Sequence, residues 1–207
     1  MEKGQVVKAL AEIRKEIKPR KFKQSVDLII NLKSFDAKKE SVNLFISLPH
    51  KVKDKKIAAF LSKKSGVVQT ITKPEFDNYK DKKKAKNLAK DFDFFIAHAS
   101  LMPSVAATFG KFLGPSGKMP SPQLGVITEE SDAKINDIIK KAEKIVRIKS
   151  KEPSLKLCIG KEVMKDEEIA DNVMTAYNAI LNALPRNKDN ISSVMIKFTM
   201  SKAIKLE

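Results

Sequence analysis

Residues 109–128 read FGKFLGPSGKMPSPQLGVIT and hold four of the chain's seven glycines and three of its nine prolines. Glycine reaches positive φ freely, whereas proline locks φ near about −65° and carries no N–H. A run alternating the two reads as a specified loop, neither helix nor ladder strand, and the chain is organised around it. Its Gly110-Lys111, Gly114-Pro115-Ser116-Gly117 and Gly117-Lys118 steps leave amides for phosphate or for a neighbouring domain. Lys111, Gly114, Gly117 and Lys118 are therefore the first candidate contacts.

Spacing disposes of the nucleotide loops. A Walker loop needs a glycine ahead of its Gly-Lys pair and a Ser or Thr after it, and those places hold Phe112 and Met119. No Gly-x-Gly-x-x-Gly occurs, which removes the dinucleotide fingerprint. Gly114 and Gly117 match the GXXG clamp of single-strand RNA-binding KH domains, but the prolines that follow oppose the second helix such a clamp needs. The plainer reading is a rigid interdomain loop.

Lys and Arg number 41 against 25 Asp and Glu, a net charge of +16 over 207 residues, which favours a polyanionic partner such as nucleic acid. Hydrophobic content of 42% suits a folded protein. No apolar run is long enough to span a bilayer and the start of the chain has no signal-peptide core, so a cytoplasmic protein without a membrane partner is expected. The single cysteine, Cys158, lies in the alternating run SLKLCIG and reads as a core thiol.

From the N-terminus, Val6, Val7, Leu10, Ile13 and Ile17 recur at helical spacing, with the helix closed before Pro19. Arg20, Lys21 and Lys23 then surround Phe22, a cluster suited to phosphates and to an exposed sugar or base. SVDLIINL and SVNLFISL alternate with period two across a polar turn and read as a β-hairpin, followed by a charged linker over 51–56. A second unit opens with the apolar run 57–61 and the β-branched VVQTIT. Only residues 62–66 join them, too few for a helical crossover, so a hairpin or a degraded crossover is expected there. Pro74 and Glu75 open a helical stretch whose lysine run is a solvated face. Strand 92–97 is followed by a helix that Ser100 caps and that runs through Val105 and Phe109 into the glycine loop. Asp132 caps another helix, and 146–150 is the unit's last strand.

The third segment reads as strand 154–159, a long helix opening at Asp166 or Glu167, and the strand ISSVMIKFTM. Asp166, Glu167, Glu168 and Asp171 complement the helix dipole and need no metal or catalytic role. The expected fold is mixed α/β and α+β. Segments 1–53 and 150–207 form a split α+β sandwich domain with a four-stranded antiparallel sheet, and 54–149 form an inserted α/β domain carrying the glycine-proline loop 110–125. Net charges of +7, +1 and +8 for the three segments make both domains basic. His50 and His98 have no fixed partner or zinc-ligand spacing, and no cofactor or metal is expected. An enzyme acting on phosphate esters through the glycine loop and a histidine is the rival class. A free regulatory RNA binder is a third.

The loop LGPSGKMPSP, with KFKQSVDL, SLPH and the terminal FTMS, resembles the large-subunit ribosomal protein L-one family nearly end to end, and the compact N-terminus is similar to its archaeal type. The resemblance implies a Rossmann-like, doubly wound second domain inserted in the split first one, with hinge motion between them. It implies binding to the stalk region of large-subunit ribosomal RNA beside the transfer-RNA exit site, help in releasing deacylated tRNA, and repression of its own messenger RNA by the same surface. A monomer is expected outside the ribosome. The implied RNA contacts are Arg20, Lys21, Phe22, Ser25 and Lys161, with Ser193, Thr199, Met200 and Ser201 from the last segment. The loop, as an interdomain feature, keeps Lys111, Gly114, Gly117 and Lys118 as secondary contacts. Departures are Ser201 where the family usually has Gly, Ser116 for Arg, Ser121 for Asn, and the short 62–66 connection, which implies loss of the inserted domain's first helix.

Overall fold

The computed structural model describes residues 2–16, 20–35, 43–79, 81–122, 124–149 and 152–206. The expected helix end at Ile17 and Pro19 and most of the polar turn before SVNLFISL lie outside these residues. In chain order the first elements are α1 (Lys3–Glu16), β1 (Ser25–Leu32), β2 (Asn43–Ser47), β3 (Ile57–Phe60), β4 (Gln69–Ile71), α2 (Lys82–Asp91) and β5 (Phe94–His98). There follow α3 (Met102–Ser116), β6 (Val126–Ile127), α4 (Asp132–Lys144), β7 (Ile145–Lys149), β8 (Ser154–Lys161), α5 (Asp166–Ala183), β9 (Ile191–Phe198) and β10 (Ile204–Lys205). They form two compact units, residues 1–53 with 144–207, and residues 54–143.

The first unit is built on an antiparallel sheet of order β10-β9-β1-β8. Period two decides which side chains meet the core. Val26, Leu28 and Ile30 of β1, Val194, Ile196 and Phe198 of β9, and Leu155, Leu157 and Ile159 of β8 are buried together. They pack with Val6, Leu10 and Ile13 of α1 and Ile169, Val173, Tyr177 and Ile180 of α5. Residues of opposite parity, Asp27, Ile29, Asn31, Ser193, Met195, Lys197 and Cys158, are only half-buried. Cys158 is thus a partly exposed thiol, and burial pushes its pKa up.

Two strand pairings differ from the sequence reading. SVDLIINL and SVNLFISL do not form a hairpin, because both edges of β1 are taken by β8 and β9. β2 pairs instead with β7, the strand assigned from sequence to the inserted segment, in register from Asn43↔Lys149 to Ser47↔Ile145. The fourth strand of the main sheet is the short β10, which the sequence reading lacks. Asn172, fully buried on α5, fastens the β2 side of the unit. It accepts from His50 N (3.0 Å) and donates to His50 O (3.2 Å) and Ile159 O (2.9 Å).

The second unit has a parallel sheet of order β4-β3-β5-β6. All of β3 is buried. Ala58 and Phe60 face the cluster of Phe76, Phe95, Phe109 and Leu113, while Ile57 and Ala59 face Ile127, Ile135 and Ala142. This two-sided burial is what a parallel strand between helical layers requires. No helix joins β3 to β4, as expected, but the pair is parallel, so the hairpin alternative is overturned. Strands this short need a return of only about 13 Å, which a few extended residues cover. The Glu130 carboxylate accepts from Ser62 N (2.7 Å) and Lys63 N (3.3 Å), which ties down the start of this connection.

The glycine-proline stretch is the largest correction. α3 continues through Gly110, Gly114 and Pro115 to Ser116, so the first half of the expected loop is helix. Val105, Phe109 and Leu113, spaced at i, i+4 and i+8, bury one stripe whose packing outweighs the poor helix propensity of Gly and Pro. Gly117 ends the helix in the left-handed conformation (φ 68°, ψ 18°). Its N–H donates to Gly114 O and that of Lys118 to Leu113 O, both at 3.0 Å, a Schellman motif. Gly125 is there for proximity, since a Cβ would lie 2.8 Å from Phe95 O. Ser100 does not cap α3, for Leu101 occupies that place.

Candidate nucleic-acid interface

One end of the antiparallel sheet brings three segments together. Ser25 opens β1 opposite Lys161 at the end of β8, and Val26 pairs with Phe198 at the end of β9. Thr199 caps this end: Ser25 N donates to Thr199 Oγ1 (3.0 Å), Thr199 N to Ser25 O (3.0 Å) and Thr199 Oγ1 to Ser25 O (3.3 Å). Gln24, 1% exposed, locks the neighbouring turns. Its Oε1 accepts from Met200 N (3.1 Å), its carbonyl from Glu162 N (2.9 Å), and its N–H donates to Glu162 Oε2 (3.2 Å). Its Nε2 is buried without a hydrogen-bond partner. Arg14 of α1 holds the turn after β8, donating to Asp166 Oδ1 (2.7 Å), Glu162 O (2.9 Å) and Met164 O (2.9 Å) while lying over the Phe198 ring. A planar guanidinium with three fixed acceptors makes that turn rigid.

On this frame Phe22 is 51% exposed and Met200 59%, both unusual for large apolar side chains. Arg20, Lys21 and Lys23 beside Phe22 and Lys202 beyond Met200 are exposed, and Lys161 is half-buried. Exposed apolar side chains thus stand beside cations in sequence, next to the hydrogen-bonded strand end of Gln24, Ser25 and Thr199. Ser201 turns inward: its hydroxyl accepts from Phe198 N (2.8 Å) and donates to Lys202 O (2.9 Å). A hydroxyl thus braces the turn.

Ser193 stands apart, six residues before Thr199 on the same pleated face, about 20 Å along the strand. Asn31 Nδ2 donates to its hydroxyl (3.0 Å) and Asn31 Oδ1 accepts from Ser154 (2.9 Å), so the Ser193 proton is left to donate outward. Met195 and Lys197 lie between on that face, beside Asp27 and Lys156, and sequence reasoning passes over them. Period two is the signal that finds them. Gln24 has no such signal, because nothing local marks a polar residue as buried.

In the second unit Lys111 and Gly114 are exposed on α3. Lys118 is engaged: its ammonium donates to Ala89 O and Phe92 O, both at 2.8 Å, where α2 ends and its carbonyls lack partners. His98 is engaged too, with Nε2 on Thr128 O (3.0 Å) and Nδ1 against Ser100 Oγ (2.6 Å). A carbonyl accepts only, so Nε2 donates to it. Among the described residues no group of three or more His, Cys, Asp or Glu is placed to hold a metal, and no helix is long and apolar enough to cross a membrane.

Proteins of known identity align over nearly the whole chain. The large ribosomal subunit protein uL1 of Pyrococcus abyssi is 37% identical over 218 residues, covering 100% of this chain and 97% of its own length. That of Thermococcus kodakarensis is 37% identical, with 100% and 98% covered, and that of Methanobrevibacter smithii 32% identical, with 98% of each covered. Residues 13–202 match the Ribosomal protein L1p/L10e family. With a match of this extent and relatives of archaeal type, the chain belongs to that family.

Proposed function

We propose that this protein is a structural component of the large ribosomal subunit, working in the cytoplasm, that binds a folded segment of large-subunit rRNA at the mobile stalk. The observation that carries the reading is the exposed pair Phe22 and Met200, set among cations on a hydrogen-bonded strand end. Apolar side chains packed on riboses exclude water from neighbouring polar contacts, and lysines fix the register on phosphates. Family membership supports the ribosomal assignment. On this reading the first unit is the split RNA-binding domain and the second the inserted Rossmann-like domain. The same surface represses translation of the protein's own mRNA, and the stalk position assists release of deacylated tRNA. Lys111 and Gly114 are secondary contacts.

The test is binding of a transcript of the rRNA stalk segment, with co-sedimentation alongside large subunits. Phe22→Ala and Thr199→Ala each weaken transcript binding, while Lys21→Ala mainly lowers the salt slope by about one unit. Retention of full affinity by both alanine variants rejects the assigned surface. Binding without co-sedimentation points to a regulatory RNA binder outside the ribosome.

A further inference from the structure

Val163 is the most exposed large hydrophobic residue among those described, at 68%. It sits at the tip of the turn between β8 and α5, and no core contact explains a β-branched side chain there. Its position in the frame is informative. Glu162, its neighbour, is joined twice to Gln24, at 2.9 and 3.2 Å, and the Gln24 side chain takes the Met200 amide at 3.1 Å. Phe22 lies two residues before Gln24. Three of the four exposed large hydrophobics, Phe22, Val163 and Met200, therefore stand on three turns that converge on one buried glutamine, while the fourth, Val67, belongs to the other unit.

Rigidity separates this from incidental exposure. Arg14 clamps the turn through Glu162 O and Met164 O, and Met164 N donates to Lys161 O at 3.0 Å, so Val163 is held outward. Lys161 and Lys165 lie two residues to either side of Val163, with Glu162 adjoining it, whereas Lys21 and Lys23 adjoin Phe22 directly. An ordered apolar tip with lysines within two residues recurs on two of the three turns, which suits sugar packing with a phosphate on the cationic side.

We infer that the turn carrying Val163 is a third wall of the RNA surface, with Val163 packing on a ribose or base of the bound RNA and Gln24 setting its distance from Met200. The inference rests on the RNA reading above and adds a contact that the basic-aromatic pattern does not mark. Pre-organisation by Gln24 and Arg14 lowers the cost of ordering this turn on binding.

Titration of a stalk-segment rRNA transcript at fixed salt tests it, with wild type, Val163→Ser, Val163→Leu, Phe22→Ala and the control Val67→Ser in parallel. Val163→Ser is expected to weaken binding roughly three- to tenfold, the scale set by one apolar side chain. Its salt slope should be unchanged, with Val163→Leu within about twofold of wild type and Val67→Ser unaffected. If Phe22→Ala weakens binding and Val163→Ser does not, the third wall is wrong and the RNA reading stands. If wild type binds the transcript no better than an unrelated folded RNA of equal length, the RNA reading fails and takes this contact with it. Loss of binding to phosphatidylserine vesicles in Val163→Ser, with transcript affinity intact, would assign the tip to a lipid surface and overturn the proposal.

Discussion

Ser25 and Thr199, 174 residues apart in sequence, are joined by three hydrogen bonds, two of which run through the threonine hydroxyl. That hydroxyl takes the Ser25 amide and gives its own proton to the Ser25 carbonyl. One lone pair remains, so Thr199 presents an acceptor, which on the proposed RNA reading fits a ribose 2′-OH and is unsuited to a phosphate.

Thr199→Val keeps the shape and removes both bonds. Ser25 N–H then lacks its acceptor at a half-exposed site, and unfolding in urea should show a loss of about 1 kcal/mol. RNA affinity should fall further than stability, while a transcript with deoxyribose at the contacted position should bind wild type and Thr199→Val alike.

The glycines of the 109–128 stretch should divide by sign. Gly110 lies within α3, is followed by Lys111, and a Cβ there meets nothing within 4 Å, so Gly110→Ala should stabilise by about 0.5–1 kcal/mol. Gly125→Ala forces a Cβ to 2.8 Å from Phe95 O and 3.2 Å from Pro120 Cα, both main-chain atoms, and should cost about 1–3 kcal/mol. Denaturant midpoints of the two variants on opposite sides of wild type are the expected result.

Lys118→Met should act on stability. Its ammonium closes the end of α2 with two carbonyl bonds, and their loss should cost about 1–2 kcal/mol, visible as faster amide exchange in α2. The salt slope of RNA binding should stay at the wild-type value.

Asp27 offers a pH test. It pairs with Lys197 on β9 and Cys158 on β8, and burial raises its pKa above the ordinary 3.8 although the Lys197 charge pulls it down. A raised folded-state pKa gives stability that is present below 3.8 and lost as pH rises through the folded value. Asp27→Asn cannot undergo that loss. The Tm difference, variant minus wild type, should be more positive at pH 7 than at pH 3, and a constant difference would contradict this account.

The local periods are legible in the sequence alone. Val26, Leu28 and Ile30 announce β1 at period two, and FDFFIA announces a strand buried on both sides. Partners were not legible, because the neighbours of β1 lie more than 120 residues downstream and SVNLFISL offers an equally good local pattern. Helix α3 was cut short because Gly and Pro dominate the local reading, although Leu113 continues the stripe of Val105 and Phe109. Within the candidate site, Lys21 and Phe22 stand out by composition alone. Gln24 and Lys118 do not, since their parts are set by which backbone atoms the fold brings to them.

The placement of β1 between β8 and β9 bears on how the molecule is made. Translation delivers β1 early, and for more than a hundred codons both its edges have no native partner, while β3, β4, β5 and β6 emerge in an uninterrupted run and can close among themselves. The second unit can therefore be complete on the nascent chain while the first is still open. Because the apolar tips depend on turns at Gln24, Glu162 and Met200, the surface appears in one step when β9 docks. A polypeptide stalled before Ile191 carries most of the protein's positive charge and none of the assembled surface proposed for RNA.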